Sequence, residues 1–191
     1  MLVVFEGIDG CGKNTQITLM QSEYNFEVLK FPREKYSILT DFLNDKVEID
    51  RKALFLLFLS DIIDGISGVD IRNKTIFLDR YFFSTIAYEV NGLDYDTAKQ
   101  VISSISPPKP GAVIFLDIPP EVSLERKIQQ KGLDRYERDV EYLARVRGNF
   151  MNLYEEKFYS PEWFLIDANR PIMEVYKDVK ATVEKLGIGK S

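Results

Sequence analysis

Leu2-Val3-Val4-Phe5-Glu6-Gly7-Ile8-Asp9-Gly10-Cys11-Gly12-Lys13-Asn14-Thr15-Gln16 joins a short apolar run to a glycine-spaced turn and the start of a helical pattern. Gly7, four residues and then Gly12-Lys13 is the spacing of a phosphate-gripping loop. Glycines let backbone N–H groups converge on phosphate oxygens, Lys13 reaches the outer phosphates, and a helix N-terminus adds partial positive charge. Gly7, Ile8, Asp9, Gly10, Cys11, Gly12, Lys13, Asn14 and Thr15 are therefore the expected cradle for ATP. The motif alone is weak. It gains specificity from the β-type run ahead of it and from Ile17, Leu19 and Met20, which supply apolar positions for a following helix.

One position departs from the pattern. After Lys13 the motif expects Ser or Thr, whose hydroxyl coordinates Mg²⁺, and this chain has Asn14 followed by Thr15. A carboxamide oxygen is a hard donor acceptable to Mg²⁺, so Asn14 either replaces the hydroxyl or leaves the ion to be reached through water.

At 191 residues the chain is read as a single domain, 1–191, large enough to bury about 70% of its unfolded surface without staples. Its only cysteine is Cys11, so no intrachain disulfide is possible. With no charged, apolar-cored leader ahead of the first strand, the expected location is cytoplasmic. The longest apolar run, Ala53 to Leu59, is far short of the ~20 residues of a membrane span. A net charge of −5 argues against nucleic-acid and acidic-membrane partners and leaves small-molecule nucleotides. Histidine is absent, which removes Ser-His-Asp and Cys-His catalysis and disfavours zinc. Phosphoryl transfer survives, because it works by positioning and cationic stabilisation.

Apolar runs recur at Leu2 to Phe5, Phe26 to Leu29, Thr75 to Leu78, Ala112 to Leu116 and Trp163 to Ile166, separated by helical-length segments. That alternation predicts a doubly wound α/β fold with a five-stranded parallel sheet flanked by helices, its strands buried on both faces. Ser106-Pro107-Pro108-Lys109-Pro110-Gly111 reads as the turn that ends a helix and launches the fourth strand. From Asp50 to Gly65 apolar positions nearly encircle a helix, which needs partners on two sides. One side faces the sheet, and the other meets neighbouring helices or, in a homodimer, a second copy.

The third run ends Leu78-Asp79-Arg80-Tyr81, placing a carboxylate and a guanidinium at the carboxyl edge of the sheet, where open α/β folds bind ligands. Arg80 suits bidentate phosphate contact, the plainer alternative being a surface ion pair. Phe31-Pro32-Arg33-Glu34 follows the second run to the same edge, either as a solvated turn or with Phe31 packing a base and Arg33 holding a phosphate.

Together with Leu133-Asp134-Arg135-Tyr136-Glu137, these segments resemble the thymidylate kinase family of P-loop nucleoside monophosphate kinases. Phe5 to Gly10, Gly12-Lys13 and Thr15-Gln16 are similar to its opening. Asp79-Arg80-Tyr81, Ser84 and Ala87-Tyr88 are similar to its second signature, and Ile166-Asp167-Ala168, Pro171 and Val175 to its C-terminal one. The resemblance implies transfer of the ATP γ-phosphoryl group to dTMP. It places Asp9 against the deoxyribose 3′-hydroxyl, Arg33 and Arg80 on the acceptor phosphate, Phe58 on the base face, Thr85 at the base ring and Tyr88 beneath the sugar. With Gly10 standing where one subgroup carries a loop arginine, it implies a short mobile lid, about 129–138, that supplies the catalytic arginines. Arg126 and Arg135 are the candidates beside Lys13 and Arg80, with Lys131 weaker. The residues alone read equally as solvated helix charges.

The family's arginine four residues after the stacking aromatic is replaced here by Ile62, with Asp61 matching its neighbour. Either Arg72 substitutes, or base reading is relaxed toward other pyrimidine monophosphates. Two other readings stay open: a deoxynucleoside kinase, for which Glu6 is the obvious carboxylate base, and a P-loop protein that binds nucleotide without transferring phosphate.

Overall fold

The computed structural model describes residues 1–89, 92–130 and 139–189. Five strands, β1 (Leu2–Glu6), β2 (Glu27–Lys30), β3 (Ile76–Asp79), β4 (Ala112–Asp117) and β5 (Glu162–Asp167), form one sheet in the order β2-β3-β1-β4-β5. Every neighbouring pair is parallel. Between and after them come α1 (Lys13–Gln21), α2 (Ser37–Leu43), α3 (Arg51–Ile66), α4 (Phe82–Ala87), α5 (Tyr95–Ile105), α6 (Pro120–Gln130), α7 (Val140–Glu155) and α8 (Ile172–Lys185). Each apolar run in the sequence coincides with a strand to within a residue or so.

Burial on both faces holds for the centre of the sheet and fails at its edges. All of β1 and β3 is buried, as is β4 except Asp117. The edge strand β2 has no buried residue, and β5 buries only Trp163 and Ile166. An edge strand has a neighbour on one side only, so its flanks are wetted where helices do not reach. Aromatic rings fill the layers, with Phe77 stacked on Phe26 at 3.8 Å and Phe115 on Phe150 at 5.4 Å.

With β1 central, between β3 and β4, the segments that leave the carboxyl ends of β1, β2 and β3 converge on one edge. That edge is where parallel α/β sheets bind ligands. The proline-rich turn ends α5 at Ser106, whose left-handed φ of 53° stops the helix, and Gly111 N–H then bonds the Leu2 carbonyl at 2.9 Å to enter β4.

Helix α3 is N-capped by Asp50, whose carboxylate accepts from the Lys52 and Ala53 N–H groups at 3.0 and 3.2 Å. Leu54, Phe55, Leu59, Ile62 and Ile66 face inward, while Leu56 and Ile63 remain exposed. Among the described residues no helix is long and apolar enough to cross a membrane.

Candidate active site

The loop between β1 and α1 is built for close backbone approach. A Cβ at Gly7 would lie 2.3 Å from the Leu116 carbonyl oxygen and 2.8 Å from Cys11 Sγ, so only glycine fits there. Gly12 adopts φ 97° as the residue preceding α1, and no side chain caps that helix, which leaves its first N–H groups to a ligand. Lys13 is buried, and its Nζ donates to the carbonyls of Gly7 and Ile8 at 2.9 and 3.4 Å, holding the charge over the loop. Ile8 and Cys11 face the core, while Asn14 and Thr15 are exposed in the first turn of α1.

Arg80 follows β3 in a left-handed backbone conformation, φ 72°, which a side chain adopts only at a cost of roughly 1–2 kcal/mol. That bend turns the guanidinium back over the phosphate loop. It donates to Asp9 Oδ1 at 2.5 Å, the Gly7 carbonyl at 3.3 Å and Ser84 Oγ at 2.7 Å. Tyr88 O–H donates to Asp9 Oδ2 at 3.3 Å, and the Arg80 guanidinium lies 5.3 Å from the Tyr88 ring centre. Burial alone would push the Asp9 carboxyl up, but Arg80 and then Lys13 hold it well below the usual carboxylate range. Burial likewise works against the charge of Arg80, and the Asp9 carboxylate together with Tyr88, Glu6 and Asp79 more than offsets it. Both groups are therefore fixed in their charged forms.

Glu6 supports this arrangement from beneath. It is fully buried, and its carboxylate accepts from the backbone N–H groups of Tyr81 and Ser84 at 2.8 and 3.2 Å and from Ser84 Oγ at 2.6 Å. The first strand is thus tied to the start of α4, which carries Thr85 and leads into Tyr88. Burial raises the Glu6 carboxyl despite the opposing Arg80 charge.

Beside Arg80 opens a cavity of about 210 Å³. Asp9, Arg80, Ser84 and Tyr88 stand in its wall together with Phe31, Phe55, Phe58, Ile62, Thr85 and Glu89. Lys30, which the sequence reading passed over, is in that wall as well. The only signal for it was its place as the last residue of β2, directly ahead of Phe31. Glu89 is largely buried, and its carboxyl, pushed up by burial, accepts from the Leu93 N–H at 3.3 Å.

Arg33 is not in the cavity wall. Its backbone N–H and Nε donate to the two oxygens of Asp61 at 2.9 and 2.7 Å, and NH2 donates to the Asp61 carbonyl at 3.0 Å and to the Asp64 carboxylate. Asp61 is fully buried, which makes it a far stronger attractor than solvent-exposed acids. The turn after β2 is thereby strapped to α3, and Gly65 leaves the necessary room: a Cβ there would lie 2.6 Å from the Phe31 ring and 3.0 Å from Arg33 Nε. Arg72 lies exposed in the turn before β3, at the amino end of that strand, so it does not stand in for the arginine replaced by Ile62.

Arg126 on α6 donates through NH1 to the Gly10 carbonyl and through NH2 to the Ala168 carbonyl, both at 3.1 Å, bridging the phosphate loop to the segment after β5. The expected lid, about 129–138, begins within the last turn of α6, and the rest of it, 131–138 with Lys131 and Arg135, lies outside the described residues. Gln16, part of the opening that resembles the family but given no role by the sequence, is buried on α1 and donates to the Ile172 carbonyl at 3.2 Å.

A glycine loop opening the first helix after a central parallel strand, with an Asp-Arg pair at the neighbouring strand end and a cavity beside it, defines a P-loop phosphotransferase of the nucleoside monophosphate kinase class. The model of the family "Thymidylate kinase" matches residues 5–179. The chain belongs to the thymidylate kinase family. It is 33% identical to a probable thymidylate kinase of Pyrococcus horikoshii, over 97% of this chain and 98% of that one. With the thymidylate kinase of Schizosaccharomyces pombe it shares 31% identity, over 98% and 93%. Among solved structures, the thymidylate kinase of Candida albicans, described as revealing the origin of broad substrate specificity, superposes with a TM-score of 0.76 at 22% identity, covering 97% of this chain and 92% of that one.

Proposed function

We propose that the protein transfers the γ-phosphoryl group of ATP to the 5′-phosphate of dTMP, giving dTDP and ADP, with base selection looser than an arginine in place of Ile62 would impose. The observation that carries this reading is the Arg80 guanidinium, suspended between the phosphate loop and the acceptor cavity. An oxygen of the acceptor phosphate forms the new bond to the γ-phosphorus as the bridging oxygen leaves with ADP. That nucleophile is already anionic, so no general base is required. Lys13 and Arg80 stabilise the charge spreading over the transferred group, and Arg126 on α6 and Arg135 of the lid are assigned to the same task once the lid excludes water.

Mg²⁺ suits the cradle: the exposed carboxamide of Asn14 in the first turn of α1 is a hard oxygen donor beside the loop, and phosphates and water complete such a shell. Asn14 would be the protein's ligand, and the ion when bound would neutralise charge between the β- and γ-phosphates.

A deoxynucleoside kinase is disfavoured by Glu6. Its oxygens are occupied by Tyr81 and Ser84 deep in the core, beyond the reach of a substrate hydroxyl. The deciding experiment is ADP release from Mg-ATP with dTMP, dUMP, dCMP, dGMP, UMP and thymidine, each against a blank without acceptor. Stimulation by dTMP, accompanied by measurable turnover of other deoxynucleoside monophosphates, is expected. Stimulation by thymidine alone would establish the nucleoside kinase, and ADP release that no acceptor stimulates the binding protein.

Ile62 is buried in the cavity wall, where it offers no hydrogen bond to a base. Ile62→Arg is expected to raise the ratio of kcat/KM for dTMP over dCMP by about ten- to a hundredfold, the worth of one charged hydrogen bond to the thymine carbonyl. An unchanged ratio would remove this account of selectivity.

The exposed side of α3 supports a homodimer. Leu56 and Ile63, seven residues apart and so on one helical face, are 54% and 37% exposed, and Ile38 of the adjoining α2 is 44% exposed. A second copy laid against this face would bury them. Sedimentation is expected to show a dimer that Leu56→Asp converts to monomer, and a monomeric wild-type protein would overturn the assignment. The lone buried Cys11 is in keeping with a cytoplasmic protein.

A further inference from the structure

We infer that Lys30, at the end of β2, is the second cation holding the acceptor phosphate, in the role that the sequence assigns to Arg33.

A nucleoside monophosphate brings a dianionic phosphate, and one arginine leaves part of that charge uncompensated. Arg33 does not supply the difference. Its Nε and NH2 groups and its backbone N–H are committed to Asp61 and Asp64, and Lys35 shares the Asp64 carboxylate at 2.8 Å. Two cations and two carboxylates make that cluster neutral overall, and none of the four lines the cavity.

Lys30 is placed differently. It pairs in register with Asp79, the residue directly before Arg80, so its side chain and the Arg80 guanidinium leave the same edge of adjacent strands. It stands in the cavity wall with Arg80, Asp9 and Phe31. Its Nζ lies 3.8 Å from Asp79 Oδ2, and its side chain is 65% exposed, so the ammonium is held loosely enough to turn toward an anion. A lysine there acts as a point charge on a four-carbon stem and needs no fixed approach angle. The division of labour follows: Arg80 grips in a fixed geometry from the cavity's buried end, Lys30 closes on the phosphate from its open side, and Arg33 keeps the intervening turn on α3.

The test compares affinities for dTMP and for thymidine, which differ only in the phosphate, by calorimetry without ATP. For Lys30→Met the affinity for dTMP is expected to fall about tenfold or more while that for thymidine is unchanged, as expected for loss of a charged contact. Lys30→Arg should restore most of it, and KM for ATP should stay put. The salt dependence of dTMP binding should also be shallower in Lys30→Met than in wild type, since a largely exposed charge is screened. A fall in the dTMP-to-thymidine affinity ratio of less than fivefold, or a parallel loss for both ligands, would overturn the assignment of Lys30. A wild-type protein that bound dTMP no more tightly than thymidine would overturn the phosphate subsite itself, an outcome distinct from the first.

Discussion

Arg80→Met is expected to lower kcat by about a thousandfold, the lower end of what a phosphate-stabilising arginine contributes. Arg80 is the residue that bends out of β3 through a left-handed conformation, and its guanidinium touches the phosphate loop at the Gly7 carbonyl and the acceptor side at Asp9. On the proposed reading it sits between donor and acceptor, where charge develops during transfer. Methionine keeps the length and loses every hydrogen bond. Stability should suffer less, because Asp9 keeps about a quarter of its side chain in water and Lys13 nearby. A Tm drop below roughly 10 °C is expected, given about 2–4 °C per kcal/mol for a chain of this size. Arg80→Lys, which keeps the charge without the fork, should fall between wild type and Arg80→Met. Single-turnover rates corrected for the folded fraction give the decisive comparison. A variant that melts while keeping its activity per folded molecule would make Arg80 a structural residue.

Asp61→Ala is expected to be the most destabilising single change around the site, and for the opposite reason. The Asp61 side chain is fully buried and accepts both the backbone and the Nε hydrogen bonds of Arg33. Removing one partner of such a pair leaves the other charge without its compensation, at about 3–5 kcal/mol, or roughly 6–20 °C in Tm. Calorimetry measures this directly. A shift of only a degree or two would mean that Asp64 alone restrains the turn after β2. Affinity for ATP should be unaffected, since the strap holds the acceptor side and not the phosphate loop.

Arg33 and Lys30 show where a linear reading ends. Both follow the same strand, and by residue type the arginine is the better phosphate ligand. What sends it elsewhere is Asp61, 28 positions further on, with Gly65 one helical turn beyond to make space. No local pattern carries that information. Glu6 is similar. As an acid beside the phosphate loop it has the composition of a general base, and only the return of β3 to its side makes it an acceptor for the N–H groups of Tyr81 and Ser84. Arg126 reads as a lid arginine, yet its two contacts are carbonyls of Gly10 and Ala168, brought together by the packing of α6 over the loop.

The features the sequence by itself determined are those encoded within a dozen or so consecutive residues: five strands, the glycine loop after the first, the apolar helix from Asp50 and the Asp-Arg pair ending β3. Apolar periodicity and glycine spacing act over a few turns or one strand, so they survive being read in one dimension. The tertiary structure alone decided which charged side chains face the cavity and which face one another. That choice depends on desolvation and on partners tens of residues away, and it is made only when β2, β3 and α3 come together.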